Sequence, residues 1–355
     1  MARNFETALI NEEKSVREAI KQLNENRLQI LVVVNDQQVL AGTVTDGDIR
    51  RAILRDLSLD HPVREIMNKN PVFVRTGEEN QAYNLMLKKR IKAVPVVDEG
   101  KRVTGLLLLE DFLGPKKEKE VKKKNNFVVI MAGGKGSRLD PFTKILPKPL
   151  IPIGDRPIIE IIMKNFQRCG FNNFLLTLNY KAEMIKIYFS ENPEGFNIYY
   201  TEEEKFLGTA GSLALAKDKL YETFLVSNCD VIMEMDFADL LEHHRNSGNH
   251  CTVVGVVKHM QIPYGVLETE NGVLLRLREK PEYDLIINSG VYVLEPEVIG
   301  LIPENQPFDM PELLLAARAA GYKVGVYPVS SNWFDVGQWE EYQRTLEYFK
   351  RVNEL

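Results

Sequence analysis

Cysteine, tryptophan and histidine are scarce in this 355-residue chain, at three, two and five residues. Cys169, Cys229 and Cys251 are odd in number and have no ligand-like spacing, which excludes a disulfide scaffold and predicts reduced thiols. The five histidines (His61, His243, His244, His250 and His259) show no metal-ligand or triad spacing. His243-His244 reads as a surface pair on a predicted helix. No apolar run approaches the ~20 residues needed to span a bilayer, and Met1-Ala2-Arg3-Asn4-Phe5-Glu6 lacks the apolar core of a signal peptide. A net charge of −5 argues against nucleic acid as the main partner. With 44% hydrophobic and 27% charged residues, the expectation is a cytoplasmic globular protein of two domains, with neither membrane nor nucleic acid as a partner.

An internal repeat is present. Gly42-Thr43-Val44-Thr45-Asp46-Gly47-Asp48 recurs as Gly105-Leu106-Leu107-Leu108-Leu109-Glu110-Asp111, an offset of 63 that also maps Ala19 onto Ala82 and Val33-Val34 onto Val96-Val97. Each copy reads as a helix, a short apolar strand, a turn and a second strand. In the first copy the helix is Ser15 to Asn24, and the strands are Ile30–Val34 and Leu40–Thr45, parted by the turn residues Asn35-Asp36. A copy of roughly 55–60 residues buries little core alone, so the two are expected to pack together.

This pattern, over about residues 5–113, resembles a tandem pair of CBS domains. The first copy carries that family's ligand-contacting signature at Gly42, Thr43, Thr45 and Asp48, whose hydroxyls and carboxylate suit a ribose and its phosphate. The second copy departs from it, with Leu108 where Thr45 stands. The resemblance therefore implies one adenine-nucleotide site, at Thr43, Thr45 and Asp48. The other reading is a packing or dimerisation module, and a homodimer is the associated expectation.

After the repeat, Gly114-Pro115 and the charge run Lys116 to Asn126 read as a solvated linker. The domain boundaries that follow are 1–60 and 61–114 for the two copies, 115–126 for the Lys-rich linker and 127–355 for the remainder. In the last region, apolar runs (Phe127–Met131, Asn173–Asn179, Thr223–Ser227) alternate with helical stretches (Pro157–Cys169, Lys181–Phe189, Gly211–Leu220). That alternation predicts βαβ units and a mostly parallel sheet, with ligands at the carboxyl ends of its strands.

The run Val129-Ile130-Met131-Ala132-Gly133-Gly134-Lys135-Gly136-Ser137-Arg138 brings a buried strand into three glycines and an arginine. Successive backbone N–H groups in such a turn make a nest for phosphate. It is neither a P-loop nor the dinucleotide fingerprint, since the Lys-Ser/Thr ending and the third glycine are missing. Ten residues beyond Arg138, Pro147-Lys148-Pro149 holds a second cation on a rigid, non-helical segment.

Gly133-Gly134-x-Gly136-x-Arg138-Leu139-x-Pro141-x-Thr143, followed by Pro147-Lys148-Pro149, resembles the signature of the sugar-1-phosphate nucleotidyltransferases, a likeness extending over about residues 126–350. It implies a Rossmann-like α/β domain behind the α+β CBS pair. It also implies nucleotide binding by Ala132, Gly133, Gly134, Gly136 and Ser137, with Gly208, Thr209 and Gly211 of Leu207-Gly208-Thr209-Ala210-Gly211-Ser212 wrapping the nucleobase and sugar. Asp230, ending Phe224-Leu225-Val226-Ser227-Asn228-Cys229-Asp230, and Asp335 of Trp333-Phe334-Asp335-Val336-Gly337 are the implied Mg²⁺ ligands. Cys229 replaces a glycine common in the family and reads as a small packing residue. Arg138, Lys148 and Lys280 are the implied catalytic cations, Lys280 lying in Arg278-Glu279-Lys280-Pro281. Gly265, Glu279 and Asn288 are the implied sugar contacts.

The resemblance implies nucleotidyl transfer from an NTP to a sugar-1-phosphate, with pyrophosphate leaving. Glu202-Glu203-Glu204 stands where uridylyl and thymidylyl enzymes commonly carry glutamine. Glu203 can accept the paired N–H donors of guanine, which favours GTP. CBS pairs ahead of this domain resemble the glucosamine-1-phosphate guanylyltransferases of legionaminic acid pathways, which favours glucosamine-1-phosphate as acceptor. The alternatives are a UTP-, dTTP- or CTP-dependent enzyme acting on mannose-1-phosphate or glucose-1-phosphate, and an inactive nucleotide-sensing regulatory protein.

Overall fold

Ser15 opens the first helix, Val16–Asn26, through a reciprocal cap: the Glu18 N–H donates to the Ser15 hydroxyl at 3.2 Å and the Ser15 N–H to the Glu18 carboxylate at 2.9 Å. The computed structural model describes residues 5–26, 28–89, 91–112, 122–191, 194–330 and 332–353. Residues 115–121 of the expected Lys-rich linker lie outside the described residues.

Ile30–Val34 is an unbroken apolar run, buried along its whole length because it lies between Leu9–Asn11 (parallel) and Leu40–Thr45 (antiparallel). The second copy repeats this at the expected offset: Ala93–Val97 lies between Val74–Arg75 and Val103–Leu108. The short flanking strands Leu9–Asn11 and Val74–Arg75 were not foreseen. Each copy has its own apolar cluster, and a third cluster joins them through Ile30, Ala93 and Leu108. The two copies thus pack together. Every fully buried Val or Leu among these contributes about 1.5–3 kcal/mol of transfer free energy.

Chain contacts divide the molecule into two units. One takes the first 120 residues together with Val257–Ile286 and Pro328–Ser330; the other takes the rest. Among the described residues, the main sheet has seven strands in the order Asn197–Glu202, Phe171–Leu178, Lys124–Met131, Phe224–Asn228, Glu282–Leu294, Cys251–Gln261 and Val324–Val329. The first four run parallel, and Glu282–Leu294 joins Phe224–Asn228 antiparallel. The protein is therefore mixed α/β with a mostly parallel central sheet. The strand Lys124–Met131 begins inside the Lys-rich segment, and its Val128 to Met131 are buried. Crossover helices such as Ile158–Gln167 cover the sheet, and Phe166 stacks on Phe237 of the helix Phe237–Ser247 at 3.8 Å between ring centres.

Two local expectations change. His243-His244 is not a surface pair: His244 is fully buried, with Nδ1 2.8 Å from the Thr252 hydroxyl and Nε2 3.1 Å from Glu295. Burial lowers its pKa, although Glu295 acts the other way. The helix expected over Gly211–Leu220 is a single turn, Gly208–Gly211, continued by the 3₁₀ turn Ser212–Ala216. Among the described residues no helix is long and apolar enough to cross a membrane.

Candidate active site

The strand Lys124–Met131 ends where the glycine loop begins, and the Ala132 N–H donates to the Thr177 carbonyl at 2.9 Å, tying the loop to the neighbouring strand. Gly136 has φ +66° and starts the 3₁₀ turn Ser137–Leu139, which carries Arg138. Below the loop, Lys148 opens the turn Lys148–Leu150 and is buried. Its side chain passes close to Gly136: a Cβ added there would lie 2.8 Å from Lys148 Cβ.

Lys148 Nζ forms an ion pair with Asp230 Oδ2, in which the two side chains are 10% and 13% exposed. Asp230 follows the strand Phe224–Asn228, and Val231–Met233 then pairs antiparallel with Trp333–Asp335, setting Val231 opposite Asp335. The Val336 N–H donates to the Asp230 carbonyl at 2.8 Å, and the Gly337 N–H to Asp335 Oδ1 at 3.0 Å. Lys148 and the two carboxylates converge on Gly337. A Cβ there would stand 2.7 Å from Asp335 Oδ1, 3.0 Å from Asp230 Oδ2 and 3.3 Å from Lys148 Nζ, so only glycine leaves the cluster undisturbed. Burial, and then the charge of Asp230, push the Asp335 carboxyl above its ordinary value, while Lys148 and Arg138 act in the opposite direction. Cys229 is buried beside this pair; burial first, then Asp230, pushes its thiol up to about 12, which suits packing and not nucleophilic chemistry.

No group of three or more His, Cys, Asp or Glu occurs among the described residues as a preformed metal cage. Two carboxylates beside a glycine-rich loop nevertheless fit Mg²⁺, which binds few protein oxygens and keeps water and phosphate oxygens as its remaining ligands.

Glu203 is buried with one oxygen accepting the Leu207 N–H at 2.9 Å. Its other oxygen lies 3.0 Å from where a Cβ on Gly133 would be, so the carboxylate borders the glycine loop. Burial raises its pKa, against the Leu207 hydrogen bond. The loop Leu207 to Gly211 is held from a distant part of the chain. Asp309 Oδ1 accepts the Thr209 N–H at 2.8 Å and the Thr209 hydroxyl at 3.1 Å, while Phe308 O accepts the N–H groups of Ala210 and Gly211 at 2.9 Å. Gly208, at φ +79°, leaves no room for a side chain: a Cβ would meet Asp309 Oδ1 and Phe308 O at 2.7 Å. Sequence reasoning missed both Gly337 and Asp309. The Asp309-Met310-Pro311-Glu312 capping box opening the helix Met310–Ala319 was a readable signal for the second.

Asn288 turns its carbonyl oxygen to the Gly290 N–H at 3.1 Å, and Trp333 Nε1 donates to Ser289 O at 3.1 Å. Gly265, Glu279 and Lys280 belong to the other compact unit. There, Glu279 Oε2 lies 3.0 Å from a Cβ position on Gly265, and Ile262 donates to the Pro281 carbonyl at 3.0 Å. Lys280 itself is left-handed, at φ +44°, a conformation that costs a non-glycine residue about 1 kcal/mol or more. In the first repeat, Thr43 is buried and exchanges backbone hydrogen bonds with Asn68. Asp48 caps the helix Asp46–Ile53 by accepting the Thr45 N–H at 2.9 Å and the Thr45 hydroxyl at 2.7 Å, and it also pairs with Arg51.

Comparison with known proteins gives two family matches: nucleotidyl transferase over residues 127–350, and CBS domain over 3–55 and 63–115. Over 231 residues the chain is 34% identical to the probable mannose-1-phosphate guanylyltransferase 3 of Oryza sativa subsp. japonica, covering 62% of this chain and 64% of that one. It is 33% identical over 248 residues to the probable glucose-1-phosphate cytidylyltransferase of Bacillus subtilis (64% and 96%). HddC from Yersinia pseudotuberculosis, complexed with GMP-PN, superposes with a TM-score of 0.50 at 25% identity (63% and 99%). The chain thus spans a little under two thirds of the length of the rice relative.

Proposed function

The chain belongs to the nucleotidyl transferase family, and on that footing we propose that it transfers a nucleotidyl group from GTP to glucosamine-1-phosphate in the cytoplasm, releasing pyrophosphate. The observation that carries this reading is the convergence of Lys148, Asp230 and Asp335 on Gly337, next to the glycine loop that leads to Arg138. The difficulty of the reaction is electrostatic, because two anions must meet before a phosphate oxygen of the acceptor attacks the α-phosphorus and the bond to the β-phosphate breaks. Positioning and fixed charge carry such a transfer, with no covalent intermediate.

Backbone N–H groups of Gly133, Gly134, Gly136 and Ser137 cradle the phosphates, and Ala132, whose own N–H is held by Thr177, anchors the start of that loop. Arg138 holds the triphosphate and stabilises charge on the departing pyrophosphate. Lys148 gives up Asp230 to meet the α-phosphate, and Lys280 takes the acceptor's phosphate. Glu279, Gly265 and Asn288 are assigned to the sugar. Asp230 and Asp335 would hold Mg²⁺, which when bound supplies charge neutralisation and orientation of phosphate oxygens. The GTP assignment is supported by the buried Glu203 carboxylate, an acceptor-only group suited to guanine's paired N–H donors, together with the guanylyltransferase names of several relatives. Thr43, Thr45 and Asp48 are assigned to a regulatory adenine nucleotide, and the CBS pair to a homodimer contact. The acceptor and the regulation rest on the domain architecture.

A pyrophosphate-release matrix tests this reading, crossing four NTPs with glucose-, glucosamine-, N-acetylglucosamine- and mannose-1-phosphates, with and without AMP or ATP. GTP with glucosamine-1-phosphate should give the highest rate, and added AMP or ATP should change it. Release from no pair would overturn the enzymatic reading, and a different best pair would reassign the substrates.

A further inference from the structure

The first repeat does more than carry a candidate nucleotide site: it holds part of the chain that bears the acceptor-binding residues. Arg17, on the helix Val16–Asn26, pairs through one guanidinium nitrogen with Asp284 and through another with Asp60 at 2.9 Å. Asp284 lies only four residues beyond Lys280, on the strand Glu282–Leu294 that leaves the Glu279-Lys280-Pro281 turn. The Arg17 and Asp284 side chains are each about a quarter exposed, so the pair is partly screened from solvent. A second bond set runs through the helix Asp46–Ile53. Asp46 Oδ1 accepts the Ser330 hydroxyl at 2.8 Å and the Ser330 N–H at 3.2 Å, and Arg50 Nε donates to the Pro328 carbonyl at 3.0 Å. Val257 packs on the apolar cluster of the first repeat, which includes Val16, Leu31 and Val33. Residues more than 220 positions away in sequence are thus fastened to one small repeat by an ion pair, three hydrogen bonds and an apolar contact.

We propose that Arg17 is a positioning residue for the sugar-1-phosphate side of the reaction, acting through Asp284 on the turn that presents Glu279 and Lys280. The need for such a restraint is local. Lys280 is held in a left-handed backbone conformation, and the hairpin preceding the turn, Val266–Glu270 with Val273–Arg278, is a two-stranded sheet that exposes Leu267, Leu274, Leu275 and Leu277. An isolated hairpin of that kind is marginal on its own. An ion pair at the far side of the turn fixes the strand into which Lys280 leads. A bidentate guanidinium bridging two carboxylates also fixes direction, which a lysine does not do as well.

This inference rests on the proposed transferase activity, and the test separates the two. In the full-length chain, Arg17→Gln should raise KM for the sugar-1-phosphate about tenfold with KM for GTP within twofold of wild type, and Asp284→Asn should do the same. The double variant should be no worse than either single one, and Arg17→Lys should recover part of the loss. A merely structural role would move both substrates together. Independently of turnover, hydrogen–deuterium exchange on the substrate-free protein should show faster exchange in residues 262–286 of Arg17→Gln, with the strands Lys124–Met131 and Phe224–Asn228 unchanged. An unchanged acceptor KM, equal shifts for both substrates, or unaltered exchange in 262–286 would overturn the proposal. A wild-type chain that releases no pyrophosphate would overturn the activity and leave the exchange result to decide the restraint.

Discussion

Lys148 and Asp230, 82 residues apart in sequence, meet as an ion pair almost closed to water. Removing one partner of such a pair strands the other charge, at a cost of about 3–5 kcal/mol, whereas replacing both by apolar groups is far less costly. Lys148→Met and Asp230→Ala should therefore each lower the denaturation midpoint strongly, and the double variant Lys148→Met/Asp230→Leu should recover most of the loss. All three should lose turnover by more than a hundredfold. Denaturant melts beside pyrophosphate release check this, and a double variant no more stable than the singles would contradict it.

Glu203, a buried carboxylate bordering the glycine loop, is assigned to the nucleobase in the proposed activity. Glu203→Gln keeps the shape and replaces one acceptor by a donor, so a partner that donates two N–H groups loses a charge-assisted bond of roughly 1.5–3 kcal/mol. The ratio of kcat/KM for GTP over UTP should fall by about ten- to a hundredfold. An unchanged ratio would remove Glu203 from base selection.

Asp309 anchors Thr209 while capping the helix Met310–Ala319. Asp309→Ala should cost about 1 kcal/mol in stability from the lost cap and raise KM for the nucleotide with little effect on the acceptor. Asp309→Asn, which can still accept the Thr209 N–H, should lie between the two. Steady-state kinetics with each substrate varied in turn distinguishes these outcomes.

His244 is buried with its pKa lowered by desolvation, against Glu295. The unfolded chain therefore binds a proton more readily, near the ordinary histidine value of about 6.5, than the folded one. The stabilisation is in place above that pH and is lost as pH falls towards the lower folded value. Melting temperature should drop between pH 7 and pH 5, and His244→Gln should flatten that slope. An equal slope in the variant would exclude His244 as its source.

Much of the architecture is written locally. Ile30–Val34 and its copy Ala93–Val97 are continuous apolar runs bounded by turn residues, so their offset of 63 could be read without knowledge of packing. Leu9–Asn11 and Val74–Arg75 have two or three residues, too few for any alternation to register, and exist because a neighbouring strand recruits them. The glycine loop from Ala132 to Arg138 stood out because its glycines and arginine lie within one short segment. Gly337 could not be singled out in that way: its requirement comes from three side chains supplied by distant stretches of chain. His244 was misread for the same reason. Its partners Thr252 and Glu295 lie beyond the helix that bears it, and a polar helix face looks solvated until something polar covers it.

The N-terminal unit is stitched from three stretches of chain, and that limits how the protein can be divided. Excising the first 120 residues would not release a self-sufficient catalytic fragment. It would deprive Val257 of the apolar surface beneath it, Ser330 of Asp46 and Asp284 of Arg17. A truncation that looks clean at the level of family boundaries would in effect be an amputation, leaving a raw surface prone to self-association and the strand that follows the Glu279-Lys280-Pro281 turn without its tether. Any comparison between whole and shortened forms would then report this damage along with whatever else the repeat contributes.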